Sequence, residues 1–444
     1  MTDGEAIGMR GQPKVERLYL DFDSFFASAE QHFNADLRGR PLGVVPLDSP
    51  HTSCIAVSRE AKARGVKSGA SVRAARGVIP DMVFVIARHD AYVRLHKRIL
   101  EVIGSILPVA HVRSIDEVVC HLSPSEAAQG RALAERIKAA LAQAFSPALT
   151  CSIGMAPTEL LAKVGAEMNK PDGFALIEAQ GLPDCLSHLD LYDLPGISKG
   201  IGARLAAAGV RDIGGLWRLA PKQARQIWGN VEGERFWSEF HGVHAERPET
   251  KKSMYGHGRV LPRDARTPQK VEACARQLLL SAARRLRRDN LRATELTLGF
   301  RSGRGPEDAQ WNWRDTFPAA RDDRTFTRAL SKGLSEARRS LRFSPHAVSV
   351  MLHGLVTDAD ITGDLFGGAL DEGADDISRE KWEKVSDLMD SLRQTHGAKA
   401  LSFGAQEEIL GGYVGAKIAF GRIPDEADFS DAPTVDEETQ FLSH

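Results

Sequence analysis

Nowhere in this sequence do apolar residues run on to the ~18 that a membrane-spanning helix needs, so a bilayer-embedded protein is excluded as an expectation. Residues 1–15 lack the apolar core of a secretory signal, which points to the cytoplasm. Cysteine is scarce and odd in number, with five residues scattered at Cys54, Cys120, Cys151, Cys185 and Cys274. None is spaced as Cys-x-x-Cys, so neither structural zinc nor a disulfide framework is expected. No fixed-period repeat is visible, which removes solenoids. Net charge is also nearly absent, at −1.

That small net charge conceals two blocks of opposite sign. Residues 251–357 hold 22 Lys and Arg against 10 Asp and Glu, a net of +12. Residues 358–444 hold 7 against 20, a net of −13. A basic block followed by an acidic one suggests a polyanion-binding surface with a self-repelling extension. The competing reading of the basic block is a solvated charged face.

A chain of 444 residues is too long for one core and implies several domains. Up to residue 178, strand-like and helix-like segments alternate, as in an α/β sheet domain. The spacing predicts strands at 17–23, 42–45, 54–57, 82–86 and 149–156. It predicts helices at 24–32, 91–107, 126–145 and 159–168, with strand material on both sides of residues 114–117. After Leu191 the pattern becomes short helices with glycine turns. Residues 245–252 read as a polar linker. The basic block reads as strand, helix, strand, helix, strand, with helices at 271–286 and 325–341 and strands at 295–301 and 347–355. The tail reads as partly disordered. Inside it, an amphipathic helix is predicted over 380–395, with Trp382, Val385, Leu388, Met389 and Leu392 on one face.

Carboxylates end two of the apolar strands: Asp21 follows Leu18-Tyr19-Leu20, and Asp116-Glu117 follows Ser114-Ile115. Phosphoryl and nucleotidyl transfer need charge neutralisation and in-line placement of two oxygens more than covalent help. Two divalent ions held by such acids supply both. Adjacent Asp and Glu point to opposite faces of a regular strand, so a turn or bulge is required for both to serve one ion pair.

Four segments occur together in one order: LDFDSFFASAE (20–30), EAKARGVKSG (60–69), SIDE (114–117) and LAKVGAEMNKPDGFALI (161–177). In this order and spacing the chain resembles the Y-family DNA polymerases over roughly residues 15–357. The resemblance implies a mixed α/β and α+β multidomain fold shaped as a right hand. Its parts would be a first palm segment within 1–24, fingers at 25–87, palm at 88–178 and a helical thumb at 179–244. The linker at 245–252 would lead to a little-finger domain at 253–357 and the acidic tail at 358–444. The implied activity is low-fidelity, lesion-bypassing DNA synthesis on primer-template DNA with deoxynucleoside triphosphates. The implied cofactor is a pair of Mg²⁺ ions, with Mn²⁺ as a substitute.

Residue by residue, the resemblance makes Asp21, Asp116 and Glu117 the metal-binding acids and Phe22 a backbone-carbonyl ligand. Asp23 matches the second acid of the motif, which is read as structural. Arg59, Lys62 and Lys170 match positions that meet the triphosphate. Arg59 and Lys62 depart from the Tyr and Arg of DinB-type members and look more like the UmuC branch; a lysine cannot reproduce arginine's bidentate fork. Of Phe25 and Phe26, both in the nucleotide-binding stretch, Phe26 matches the steric gate. Its ring would lie where a ribose 2′-hydroxyl would lose its hydrogen bonds.

Residues 193–205 (DLPGISKGIGARL) resemble a helix-hairpin-helix, in which backbone N–H groups near Gly196, Ser198 and Gly200 would meet DNA phosphates. Serine stands at 198 where the family carries glycine, and a left-handed backbone there would strain it. Asp364-Leu365-Phe366 resembles the end of a sliding-clamp-binding peptide, although Thr362 replaces the usual leading Gln. SOS accessory proteins complete the implied partners of a monomer with no membrane contact. The alternative within the same fold is a non-catalytic adaptor that binds DNA and the clamp; retention of all three acids favours the enzyme. A nucleotide-cyclising palm enzyme is disfavoured by the helix-hairpin-helix and the basic block.

Overall fold

The computed structural model describes residues 14–46, 48–248, 252–303, 309–360 and 372–396, with Leu401, Ile418, Ile423, Pro424 and Phe429. These fall into two compact units, one running to Pro248 and one holding the basic block and the tail helix. Asp364, Leu365 and Phe366 lie outside the described residues. No described helix is long and apolar enough to cross a membrane.

In the first unit, β1 (Arg17–Phe22) is buried from Leu18 onward and takes the centre of a five-stranded sheet. Such a strand must be covered on both faces, and helices do this here. The helix Glu159–Met168 packs on β1 and on β7 (Cys151–Ala156). On the other side of β1 comes β6 (Glu117–His121), then β5 (Val109–Val112); β8 (Phe174–Leu176) flanks β7. A second, three-stranded sheet has β2 (Leu42–Val45) between β3 (Ala56–Val57) and β4 (Val83–Ile86). Its core is small and includes Cys54, Val57, Val66, Ile79 and Phe84. A Cβ at Gly43 would meet the Phe84 ring at 2.8 Å, so β2 needs glycine there.

The helix expected over 126–145 is divided at Gln129 into Pro124–Ala128 and Gly130–Ala144. Ser123 and Glu126 form a reciprocal cap that starts the first piece early. Gly130 then lets the second piece approach Met155, whose Sδ would lie 2.9 Å from a Cβ at that position. Beyond Leu191, four short helices (Lys199–Ala207, Ile213–Trp217, Pro221–Trp228 and Glu232–Phe240) close around Leu205, Ile213, Trp228, Phe236 and Phe240.

The second unit is an antiparallel sheet covered on one face by the helices Pro268–Arg288 and Asp323–Ser340. Its order is β11-β10-β12-β9, with β9 (Tyr255–Val260), β10 (Ala293–Arg301), β11 (Gln310–Ala320) and β12 (Ala347–His353). Strand β11 is absent from the sequence reading. Its Pro318 argues against a central strand, but β11 is an edge, where a missing N–H is tolerated. Its alternation is real: Trp311, Trp313 and Phe317 pack on the core while Asn312, Arg314 and Thr316 are exposed.

The tail helix (Glu372–His396) is longer than predicted, and charge, more than its apolar face, holds it to the second unit. Asp390 pairs with Arg287 at 2.7 Å, Asp387 with Arg321 at 2.6 Å, and Glu383 with Arg292. The Ser386 hydroxyl oxygen accepts from the Asp323 N–H at 3.0 Å, and Arg324 lies 4.8 Å from the Trp382 ring centre. Leu388, expected on the packed face, is 59% exposed. Beneath this dock Arg287 also pairs with Asp323 at 2.8 Å, and both side chains are buried. Arg287→Ala should therefore cost about 3–5 kcal/mol, because it strands a buried carboxylate. Asp390→Asn should cost less, since Arg287 keeps Asp323. Urea denaturation of the two variants checks the order.

Candidate active site

The ladder between β1 and β6 sets Asp21 directly opposite Glu117. Cross-strand partners project to the same face of a sheet, so these two carboxylates start from facing positions without any loop to carry them. Asp116 precedes β6, in a bend over Ser114, Ile115 and Asp116. The Asp116 carbonyl accepts from the Phe22 N–H at 2.9 Å, which fastens the bend across the end of β1. The Ser114 hydroxyl donates to the Asp116 carboxylate. This bend breaks the strand alternation that would otherwise send Asp116 and Glu117 to opposite faces.

Two lysines answer these acids. Lys170 Nζ lies 2.8 Å from Asp21 and 2.7 Å from Glu167. Lys163 pairs with Glu117, and its ammonium sits 5.3 Å from the centre of the Tyr19 ring. The balance still falls short of neutrality. Burial pushes the Asp21 carboxyl up to about 8, with Lys170 opposing and Glu167 and Asp116 adding to the rise. Burial raises Asp116 as well, and Glu117 adds to it. Burial works to lower Lys170, but Asp21 and Glu167 outweigh it and hold the ammonium above its usual range. Burial and then the Glu117 charge raise the Tyr19 phenol, which stays neutral.

Asp23, two residues along and 3% exposed, is treated differently. Its carboxylate accepts from Ser152 Oγ at 2.9 Å, Thr150 Oγ1 at 2.8 Å and the Asp172 N–H at 2.8 Å. It therefore binds the loop that carries Lys170. Lys138 grips the same loop through the Asp172 and Gly173 carbonyls. A Cβ at Gly173 would meet the Asn169 carbonyl oxygen at 2.0 Å, so this loop closes only with glycine.

The two phenylalanines after the acids separate cleanly. Phe25 is 2% exposed, whereas Phe26 is half-buried. Phe26 stacks on Tyr92 with ring centres 4.9 Å apart. Tyr92 donates to Glu30 at 2.6 Å, and Arg88 pairs with the same buried carboxylate at 2.6 Å. Arg59 is half-buried and reaches Thr150, while Lys62 is exposed.

Within residues 193–205, the left-handed backbone falls on Gly196, at φ 95°. Ser198 has an ordinary φ of −81° and caps Lys199–Ala207 without using its side chain. The expected strain at Ser198 is therefore absent, because glycine takes the one demanding position.

Sequence reasoning missed Lys163, Thr150, Ser152 and the Glu30–Arg88–Tyr92 set. Lys163 lies in the same segment as Lys170, but the helix ends at Met168, so helical spacing does not link the two. Among the described residues no three His, Cys, Asp or Glu side chains already surround one point that would hold a metal ion. The donor chemistry nevertheless fits a hard divalent cation. Asp21, Asp116, Glu117 and Glu167 supply oxygen donors and excess negative charge against two ammonium groups.

An unfolded aspartate ionises near pH 4, whereas Asp21 in the fold does so near 8. Between those values the folded state holds the extra proton, so its stability falls as pH rises through the window. In metal-free protein, Asp21→Asn should flatten the fall of melting temperature between pH 5 and pH 8 and melt higher than the parent at pH 8. An unchanged profile would contradict the burial cost at this carboxylate.

Comparison with known proteins bears on the same segments. Residues 20–167 match the impB/mucB/samB family, and residues 252–365 match the C-terminal domain of that family. DNA polymerase IV of Moorella thermoacetica is 30% identical over 385 residues, covering 83% of this chain and 94% of the relative. DNA polymerase IV of Pelotomaculum thermopropionicum is 29% identical over 365 residues, covering 79% and 88%. A solved Y-family DNA polymerase chimera superposes with a TM-score of 0.65 at 20% identity, covering 77% of this chain and all of the chimera.

Proposed function

This chain belongs to the impB/mucB/samB family of Y-family DNA polymerases, and from that premise we propose how its own residues carry template-directed synthesis past damaged bases. The observation that supports the reading most directly is the placement of Asp21, Asp116 and Glu117 at the facing ends of β1 and β6. A non-catalytic adaptor would have no reason to keep three acids in a place where burial penalises them.

Y-family polymerases use divalent metal ions. In this chain Asp21, Asp116 and Glu117, with the backbone carbonyl of Phe22, would hold two Mg²⁺, or Mn²⁺ in their stead. Such ions neutralise charge on the reacting phosphate and align the attacking and leaving oxygens. Lys170, whose Nζ lies 2.8 Å from Asp21, would be the ammonium that this chain offers to the triphosphate. Arg59 and Lys62 approach the same phosphates from the short helix Arg59–Ala63. The helix Phe25–Phe33 begins without a side-chain cap, which leaves its first N–H groups for an anion. Phe26 offers its ring to the sugar, while the buried Phe25 contributes backbone only.

Primer-template DNA meets backbone N–H groups near Gly196, Ser198 and Gly200. In the second unit it meets the sheet face opposite the helices Pro268–Arg288 and Asp323–Ser340. Leu296, Leu298 and Phe300 point to the helices, so Thr297, Gly299 and Arg301 point the other way. Contacts of this kind serve affinity without reading sequence.

Asp116→Ala should reduce primer extension to background and leave duplex affinity within about twofold, since the acids serve chemistry and the cations serve binding. Near-normal extension would remove Asp116 from the metal site.

Phe26→Ala should raise the ratio of kcat/KM for a ribonucleotide over its deoxy counterpart by about tenfold or more. Phe25→Ala should instead cost about 3–5 kcal/mol of stability, as a buried ring does. Single-nucleotide insertion kinetics on both variants decide between the rings; relaxed sugar selection by Phe25→Ala alone would shift the motif by one residue.

A further inference from the structure

Thr150 stands just before β7 and takes no part in the roles assigned above. Its carbonyl accepts from the Asp23 N–H at 3.0 Å, and its hydroxyl donates to the Asp23 carboxylate at 2.8 Å. A hydroxyl has one proton, and here it is committed to Asp23. What remains is acceptor capacity, and Arg59 Nη1 uses it at 3.2 Å across 91 residues of sequence. The same Asp23 oxygen accepts from the Asp172 N–H, in the loop that holds Lys170. One hydroxyl thus joins a cation of the Arg59–Ala63 helix to the carboxylate that anchors the Lys170 loop.

We infer that Thr150 is a positioning residue, which holds the Arg59 guanidinium ready for the triphosphate of the incoming nucleotide. The inference rests on the polymerase reading given above and deepens it. The chemistry of the tether suits the task. Arginine has five N–H donors, and this contact occupies one. Among the described residues the others have no partner, which leaves them for phosphate oxygens. A carboxylate in direct contact would form a bidentate pair and compete with the substrate. The hydroxyl passes on the pull of Asp23 at one remove, strongly enough to set a rotamer and weakly enough to leave the charge available. Ordering Arg59 before nucleotide arrives lowers the entropy that binding must otherwise spend on it.

Single-nucleotide insertion by the full chain on a matched primer-template tests this. Thr150→Val keeps the shape and removes the hydroxyl. It should raise the nucleotide KM about tenfold and leave kcat within about twofold, because a lost charged hydrogen bond is of that order. Thr150→Ser should restore KM. The double variant Thr150→Val with Arg59→Ala should be no worse than Arg59→Ala alone, an outcome that a purely structural threonine would not give. Nucleotide affinity measured on a dideoxy-terminated primer, where no turnover occurs, should move with KM. If Thr150→Val matches the parent, or if its effect adds in full to that of Arg59→Ala, the role of Thr150 is overturned and the polymerase reading stands. A parent chain that extends no primer overturns both.

Discussion

Negative charge held where water cannot screen it is the constraint around which the first unit is built. The β1–β6 ladder sets Asp21 against Glu117, and the tie between Phe22 N–H and the Asp116 carbonyl adds a third acid at the same strand ends. A sheet positions backbones rigidly, so the acids cannot drift apart to relieve repulsion. Compensation has to come from outside the sheet. Lys163 and Lys170 supply it, the first from the helix Glu159–Met168 and the second from the loop that follows. The compensation is incomplete, as the raised Asp21 and Asp116 carboxyls show. A site balanced by its own lysines would be more stable and would have less use for a cation.

Asp21 and Asp23 show how environment divides one residue type into two jobs. They stand two residues apart, and both are buried. Asp23 meets two hydroxyls and a backbone N–H, which satisfy it as a structural node. Asp21 is met mainly by a single ammonium that also serves Glu167. Uncharged hydrogen-bond donors fix a carboxylate in place. A single ammonium leaves it open to exchange partners. The fold therefore spends its hydroxyls on Asp23 and withholds them from Asp21.

In the second unit, counting charges along the sequence overstates the free positive surface. Of the arginines that make the basic block basic, Arg287, Arg292 and Arg321 are engaged by Asp390, Glu383 and Asp387 of the tail helix. Part of the acidic tail is thus folded onto the basic unit. Arg287 goes further inward, to a carboxylate that no solvent reaches. Buried pairs of this kind add little over an apolar contact when complete, and cost a great deal when one partner is lost.

How far the sequence could be read follows from how far each contact reaches along it. The acids were legible because strand pattern and motif coincide at Asp21, Asp116 and Glu117. The sheet domain was legible because apolar runs alternate with helical spacing. Edge strand β11 was not, since proline and alternating polar residues resemble a loop until a neighbour is known to pair with them. Thr150, Lys163 and Tyr92 were illegible for a related reason. Each acts on a partner 46 to 91 residues away, and a lone threonine, lysine or tyrosine carries no local mark of such a partner. The case of Ser198 runs the other way. The motif put strain there, but one glycine at Gly196 absorbs the left-handed turn, so the neighbouring serine is free to be ordinary. A motif fixes which backbone shape is needed; only the fold shows which residue bears it.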